Sequence, residues 1–355
     1  MEYERAEIAR QIIEAGNRLV ETGLSARTWG NISARLSEDT MLITPSGLSY
    51  ETLTPERLVE VSIKDCSYSG DIKPSSEMGI HADVYRFRDD VNFVIHTHQA
   101  YATAVSILPK RAGNLTEYIT DRDLLGDYIP CGEYGVSCSK KLQSKVNKCL
   151  LAHRKVRAML LKSHGTLCLG RDYEDAFAIA EALEETCKAK YDAVRQGVTD
   201  LGPSKPDMAD FHLCTPEEYP DYYEAIGETG GCIIHAQSPA IMEMSMCGFH
   251  MHLFVDDITQ LCGISVHCCR DEMELAYYMK RLPKKGAVYY FGEGAYCYGA
   301  NEEEAIATCL VLEKAAKAAL LAGYTCCGHR VPYFTALREQ KMYRDHYSKL
   351  KMVTE

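Results

Sequence analysis

The apolar positions of the chain come in short runs, and several of those runs end on reactive side chains. Residues 91–98 read Val-Asn-Phe-Val-Ile-His-Thr-His, a β-branched and aromatic run that predicts a buried strand ending in a His-x-His pair. Residues 158–165 have the same form: Ala158, Met159, Leu160 and Leu161 predict a strand that delivers His164 at its end. Elsewhere the spacing is helical. Ala6, Ile8, Ile12, Ile13, Leu19 and Val20 make an apolar stripe over residues 3–22, closed by Gly23. A helix is predicted over residues 75–87, with Ser75 or Ser76 as its N-cap. Further helices are expected over residues 99–108, over 139–155 (a basic amphipathic run read as a solvated face) and over 173–193, with Glu181, Glu184 and Glu185 outward. Residues 41–50 read as strand, turn, strand, and residues 53–63 as a short helix and a strand. Residues 197–210, rich in Pro and Gly, read as linker, and residues 329–351 as a closing helix.

On a strand, residues two apart share a face, so His96 and His98 can aim at one point. With His164 and Glu77 they make three imidazoles and a carboxylate, a common catalytic zinc set. His81, His153, His212 and His346 have no evident partner and are read as ordinary histidines. Thr28, Gly30 and Asn31 form a turn before a strand. That turn is either a plain hairpin or an anion cradle, in which Gly lets backbone N–H groups approach and Asn and Thr add donors.

The pieces RTWGNISAR (27–35), LITPSGLSY (42–50), KPSSE (73–77), VIHTHQAYATAVS (94–106), DYIPCGEYG (127–135) and SHG (163–165) occur in one order and spacing over about half the chain. Together they resemble the class II aldolase/adducin family, most closely its fuculose-1-phosphate aldolase branch. The resemblance implies zinc held by His96, His98 and His164. It makes Glu77 a metal ligand at rest and the acid/base in turnover. It also implies a substrate phosphate gripped by Thr28, Gly30, Asn31, Ser46, Gly47, Ser75 and Ser76. Tyr118 falls where the aldolases contribute a tyrosine to a neighbouring subunit's site, and Glu117 near a catalytic aspartate of the related epimerases. One of Tyr333, Tyr343 and Tyr347 would match a C-terminal tyrosine of the aldolases. The implied fold is α/β and three-layered, with a central, mainly antiparallel sheet flanked by helices. The implied reaction is cleavage of a ketose 1-phosphate to dihydroxyacetone phosphate and an aldehyde. A dehydratase on the same scaffold keeps the glutamate and is an alternative. A 4-epimerase carries aspartate at position 77 and is disfavoured. A non-catalytic adducin-like module would lack the full zinc set.

The 355 residues exceed one ordinary domain of about 100–200 residues, and the 46% apolar content suffices for real cores. A net charge of −11 argues against a nucleic-acid or acidic-membrane partner. The first ten residues are charged and no apolar run reaches membrane-spanning length. The 16 cysteines include many in apolar runs and none in a C-x-x-C pair of zinc-site type, so reduced thiols in the cytoplasm are expected.

The second half repeats the first. Residues 232–246 match 93–107, and residues 286–322 match 157–193, strand for strand and helix for helix. Two units are therefore expected: 1–200 as the catalytic domain and 201–355 as a degenerate copy of it. His235 stands for His96, but Gln237 stands for His98 and Glu293 for His164, a poor zinc set. His250 and His252 are placed mid-strand without a third ligand. Since the resembled aldolases form fourfold rings, a homodimer acting as a pseudo-tetramer is expected.

Overall fold

The computed structural model describes residues 2–25, 29–196, 198 and 200–342. It divides into two compact units, one running to Tyr191 and the other beginning at Asp192. This division lies before the expected 200/201 boundary, inside the long helix α6 (Tyr173–Val194) that closes the first unit.

The first unit carries, in order, α1 (Glu2–Glu21), β1 (Gly30–Arg35), β2 (Thr40–Ile43), β3 (Val59–Ser62), α2 (Met78–Phe87), β4 (Phe93–Thr97), α3 (Ala100–Ser106), α4 (Arg122–Leu125), β5 (Cys131–Gly132), α5 (Lys140–Ala152), β6 (Ala158–Leu161), β7 (Gly165–Gly170) and α6. The strands form one sheet in the order β3-β2-β1-β4-β7-β6-β5. All pairings are antiparallel except β5 with β6. The apolar run 91–98 thus lies between β1 and β7, and every residue of β4 is buried. Val94 faces a core shared with Ile80, Val84 and Tyr85 of α2 and Leu142, Val146 and Leu150 of α5. Strand alternation turns Phe93 to the other face, where its ring meets Tyr173 of α6. The sheet is therefore the middle of three layers. The basic helix α5 is only half solvated, because Leu142, Val146 and Leu150 recur every fourth residue along its buried side.

Residues 41–50 do not form two strands. After β2 the chain makes an isolated bridge, Pro45 to Pro74, and then a single 3-10 turn at Tyr50–Thr52. Tyr50 is buried, and a Cβ on Gly16 of α1 would stand 2.5 Å from its ring. The missing side chain on α1 makes room for that ring and draws the segment inward.

The second unit holds β8 (Phe211–Cys214), α7 (Pro220–Ile226), β9 (Cys232–Ala236), α8 (Pro239–Met246), α9 (Ile258–Cys262), β10 (Cys268–Cys269), α10 (Glu272–Met279), α11 (Leu282–Lys285), β11 (Ala287–Tyr290), β12 (Gly294–Gly299), α12 (Glu302–Thr325) and α13 (Tyr333–Met342). Its sheet order is β10-β11-β12-β9-β8. The pairing copies the first unit position by position. Cys232 lies opposite Gly299 as Phe93 lies opposite Gly170, and Ala287 opposite Cys297 as Ala158 opposite Cys168. The parallel pair β10–β11 matches β5–β6. Among the described residues no strand pairs with β8 on its outer side, where β1 of the first unit has β2. Residues 249–252 form no strand: only Met251 is bridged, to Val266. Alternation alone does not make a strand where no neighbour offers a ladder. No helix of the described residues is long and apolar enough to cross a membrane.

Candidate metal centre

Helix α2 begins at Met78, with Glu77 itself at the cap position. The expected serine cap is absent. Ser75 Oγ instead accepts the Glu77 N–H at 3.2 Å, which holds the glutamate at the mouth of the helix. The segments containing Ser46 and Ser75 are joined by backbone bonds, Ser46 N–H to the Lys73 carbonyl and Ser75 N–H to the Thr44 carbonyl, each 3.0 Å. The two predicted phosphate turns are therefore neighbours. Ser46 and Gly47 are half-buried, Gly47 has φ +79°, and Ser76 Oγ donates to Cys138 Sγ at 3.0 Å. Gly30 and Asn31 lie in the first residues of β1 rather than in a turn, opposite Thr97 and His96. Gly30 takes φ +121°, and a Cβ there would stand 2.5 Å from the His96 carbonyl oxygen. Thr28 lies outside the described residues.

The three predicted histidines converge. His96 is on β4, His98 follows its end, and His164 sits in the turn between β6 and β7, where Ser163 adopts φ +60°. One ring nitrogen from each lies within 4.8 Å of the others, and all three residues are buried. The His96 and His164 rings are stacked at 5.0 Å, and His98 meets both edge-on. His96 Nδ1 lies 2.6 Å from the Thr166 carbonyl oxygen. A carbonyl only accepts, so that nitrogen carries the proton and Nε2 of a neutral ring is bare. This lone pair points into the cluster, 3.2 Å from His98 Nε2 and 3.1 Å from Glu77 Oε2. Glu77 Oε1 is 3.3 Å from His164 Nε2 and accepts the Cys138 N–H at 3.3 Å. A buried set of nitrogens, with one tautomer fixed by a backbone carbonyl and a carboxylate alongside, fits a divalent cation.

Burial works to raise the Glu77 carboxyl, but the positive charge and hydrogen bonds of the adjacent His164 and His96 imidazoles in their protonated form outweigh it and hold the group well below the usual carboxylate range. Asn31 Nδ2 donates to Glu77 Oε2 at 3.3 Å.

Two residues matter here that the sequence reading set aside. His81 is fully buried and bonded at both ring nitrogens, to Asn31 Oδ1 and Ser33 Oγ. It stands four residues after Glu77 on the inner side of α2, and that spacing was its one visible signal. Glu184 does not face outward. Its buried carboxylate accepts the N–H groups of Tyr101 and Ala102, at 2.8 and 2.9 Å, and so anchors the start of α3 just after His98. Ala176, Ala180, Cys187 and Tyr191 share that buried face at helical spacing and would have marked it. The second unit keeps the anchor: Glu313 accepts Ser238 Oγ–H at 2.7 Å and Ile241 N–H at 3.1 Å.

Tyr118 lies in a turn, with the Lys190 ammonium 4.9 Å from its ring centre. Tyr333 is exposed at the start of α13, and Tyr343 and Tyr347 lie outside the described residues. In the second unit, His235 Nε2 and Gln237 Nε2 both donate to the Glu293 carbonyl, at 2.6 and 3.2 Å, and Tyr296 stacks on the His235 ring at 4.7 Å. Those donors are spent on the backbone. His267, Cys269 and Glu274 form another loose group, but Glu274 takes the Arg270 N–H and stays 3.9 Å from His267 Nε2.

Residues 10–191 match the family model described as Class II Aldolase and Adducin N-terminal domain. The L-fuculose phosphate aldolase of Escherichia coli (strain K12) is 35% identical over 181 residues, covering 51% of this chain and 81% of that protein. The 5-deoxy-D-ribulose 1-phosphate aldolase of Bacillus thuringiensis serovar kurstaki is 30% identical over 194 residues, covering 54% and 88%. A solved L-fuculose 1-phosphate aldolase, 30% identical, aligns with 56% of this chain and 91% of its own, at a TM-score of 0.48.

Proposed function

Because the chain belongs to the class II aldolase and adducin family, and its named relatives are aldolases, we propose that it is a zinc-dependent lyase. Its substrate would be a ketose 1-phosphate, cleaved to dihydroxyacetone phosphate and an aldehyde. The observation that carries this reading is the convergence of His96, His98 and His164 on the Glu77 carboxylate. His96, His98 and His164 would hold the metal. When bound, zinc supplies Lewis-acid polarisation of the substrate's ketone and hydroxyl oxygens.

The remaining work falls to the chain's own side chains. Gly30, Asn31, Ser46, Gly47, Ser75 and Ser76, with Thr28, would grip the phosphate and fix the ketone half. In cleavage, the hydroxyl of the aldehyde half loses its proton as the carbon–carbon bond breaks, and the bonding pair stays with the ketone half. Glu77 would take up a proton from solvent once substrate is bound and deliver it to that carbon, which completes dihydroxyacetone phosphate. The proton of the aldehyde-half hydroxyl leaves to solvent, so protons balance over the cycle. Tyr118 of a neighbouring subunit is assigned the proton of the aldehyde oxygen. The repeated strand register supports a duplicated fold whose second copy is inert. A homodimer would then supply four ring positions, two of them working. A cytoplasmic location suits the buried thiols of Cys168, Cys187 and Cys297.

Glu77→Gln tests the assignment of the proton. Zinc should stay bound and turnover should fall by about 10²–10⁴-fold, the usual worth of a general base. Near-normal turnover would move the proton to another residue.

A further inference from the structure

A buried chain of hydrogen bonds leads away from Glu77 into α2 and β1. Each junction in it has only one permitted direction. An ionised carboxylate only accepts, so Asn31 must present Nδ2 to Glu77 Oε2. The other end of the amide, Oδ1, then faces His81 Nε2 at 2.5 Å. A carbonyl oxygen only accepts, so His81 Nε2 carries a hydrogen. Burial pushes the His81 imidazole down to about 3, so the ring is neutral and Nδ1 is bare. Nδ1 therefore accepts from Ser33 Oγ, 2.6 Å away. With its proton committed, the Ser33 hydroxyl can only accept from Tyr85 Oη at 2.9 Å, whose single proton is shared between that oxygen and the Ser33 carbonyl at 3.0 Å. Asn31, Ser33, His81 and Tyr85 are all buried, so water does not compete for these groups.

We propose that His81 is a positioning residue: its Nε2–H fixes which end of the Asn31 amide faces Glu77 and the site. The terminal torsion of asparagine is broad and roughly two-fold, so the amide has little intrinsic preference between its two ends. His81, at the Oδ1 end, supplies that preference together with the Glu77 carboxylate at the Nδ2 end. The amide carries a second hydrogen, which is left for an anionic substrate group. With the amide reversed, its oxygen would oppose both the carboxylate and the phosphate. The kinetic part of this inference rests on the aldolase reading.

Two variants and one spectrum test it. In His81→Gln the side-chain amide nitrogen reaches the place of imidazole Nε2 and keeps the donor, whereas His81→Leu removes it. His81→Leu should lower kcat/KM by about 10–100-fold, the worth of one hydrogen bond to a charged or tightly held group, with KM carrying most of the change and zinc content unaltered. His81→Gln should recover to within about threefold of the parent, consistent with a retained hydrogen bond. In an Asn31→Ala background, His81→Leu should have no further effect. Equal damage from Gln and Leu, or effects that multiply in the Asn31→Ala background, would overturn the proposal. Nitrogen-15 labelling of histidine reads the tautomer without turnover, with His81→Gln identifying the resonance. The Nε2–H form is expected, and an Nδ1–H form overturns the proposal even if His81→Leu does not fold. If no aldol cleavage is found at all, the reading of function fails, while the tautomer still decides the role of His81.

Discussion

A single methyl group at Gly165 should damage the centre without replacing a ligand. A Cβ there would stand 2.3 Å from the Thr97 carbonyl oxygen and 3.2 Å from both His96 Cε1 and His98 Cδ2. Real contacts of this kind begin at about 3.0 Å, so the turn and β4 must part by roughly 0.7 Å, the difference from 2.3 Å. Neither side yields easily. Thr97 pairs with Thr166 across the sheet, and the Thr166 carbonyl takes the His96 proton. Relief therefore shifts His164 against the other two histidines. The overpacking should cost about 1–3 kcal/mol of stability. Gly170→Ala is the control. Its Cβ would stand 2.4 Å from Ala176 N, equally crowded but at the far end of the same strand. Both variants should melt several degrees below the parent. Only Gly165→Ala should lose zinc affinity, by about 10–100-fold in titration against a chromophoric chelator, the range seen when ligand orientation is disturbed. Parental affinity in Gly165→Ala, or an equal loss in Gly170→Ala, would refute the reasoning.

Further outcomes are expected elsewhere in the chain. Glu184→Ala strands two buried N–H groups that now bond a carboxylate, so denaturant unfolding should show a loss of about 3–6 kcal/mol, with Glu184→Gln milder. His81 also gives a pH signature. Its imidazole is held near 3 against an ordinary value of 6.5, so between those values the unfolded chain binds one more proton than the folded one. The contribution is whole above pH 6.5 and is lost as pH falls, at about 1.4 kcal/mol per pH unit. Stability curves of the parent and His81→Gln should therefore diverge below pH 6.5, and parallel curves would contradict the buried neutral ring. Asn31→Asp places a negative charge beside the proposed phosphate grip, where repulsion at about 4 Å amounts to a few kcal/mol. KM for a phosphorylated substrate should rise by about two decades, and an unchanged KM would remove Asn31 from the grip.

The three histidines were legible because two signals agreed. Strand alternation puts His96 and His98 on one side, and the second apolar run brings His164 to the same end of the sheet. The second half was read as a repeat from its strand-turn-helix rhythm, and its strand pairs fall at the corresponding positions. What failed depended on distant partners. The extended run after β2 was undone by Tyr50 packing over Gly16, far away in the chain and unmarked locally. Residues 249–252 alternate like a strand but find only one bridge. Glu184 was read as solvent-facing because it is charged, although its helical neighbours are apolar. A buried carboxylate anchoring a helix start is invisible until that helix is placed. His81 was read as having no partner, whereas its partners are an asparagine and a serine on strand β1.

The central claim is that these histidines hold the metal for aldol cleavage of a phosphorylated ketose. It is tested most directly by measuring released dihydroxyacetone phosphate in a coupled assay, with zinc content determined on the same samples. L-fuculose 1-phosphate and 5-deoxy-D-ribulose 1-phosphate head the substrate panel, since relatives carry both names. The parent chain should release dihydroxyacetone phosphate from at least one ketose 1-phosphate, and His98→Ala should lose both zinc and release. No release from any ketose 1-phosphate by the zinc-loaded parent, or stoichiometric zinc and undiminished release in His98→Ala, would contradict the account.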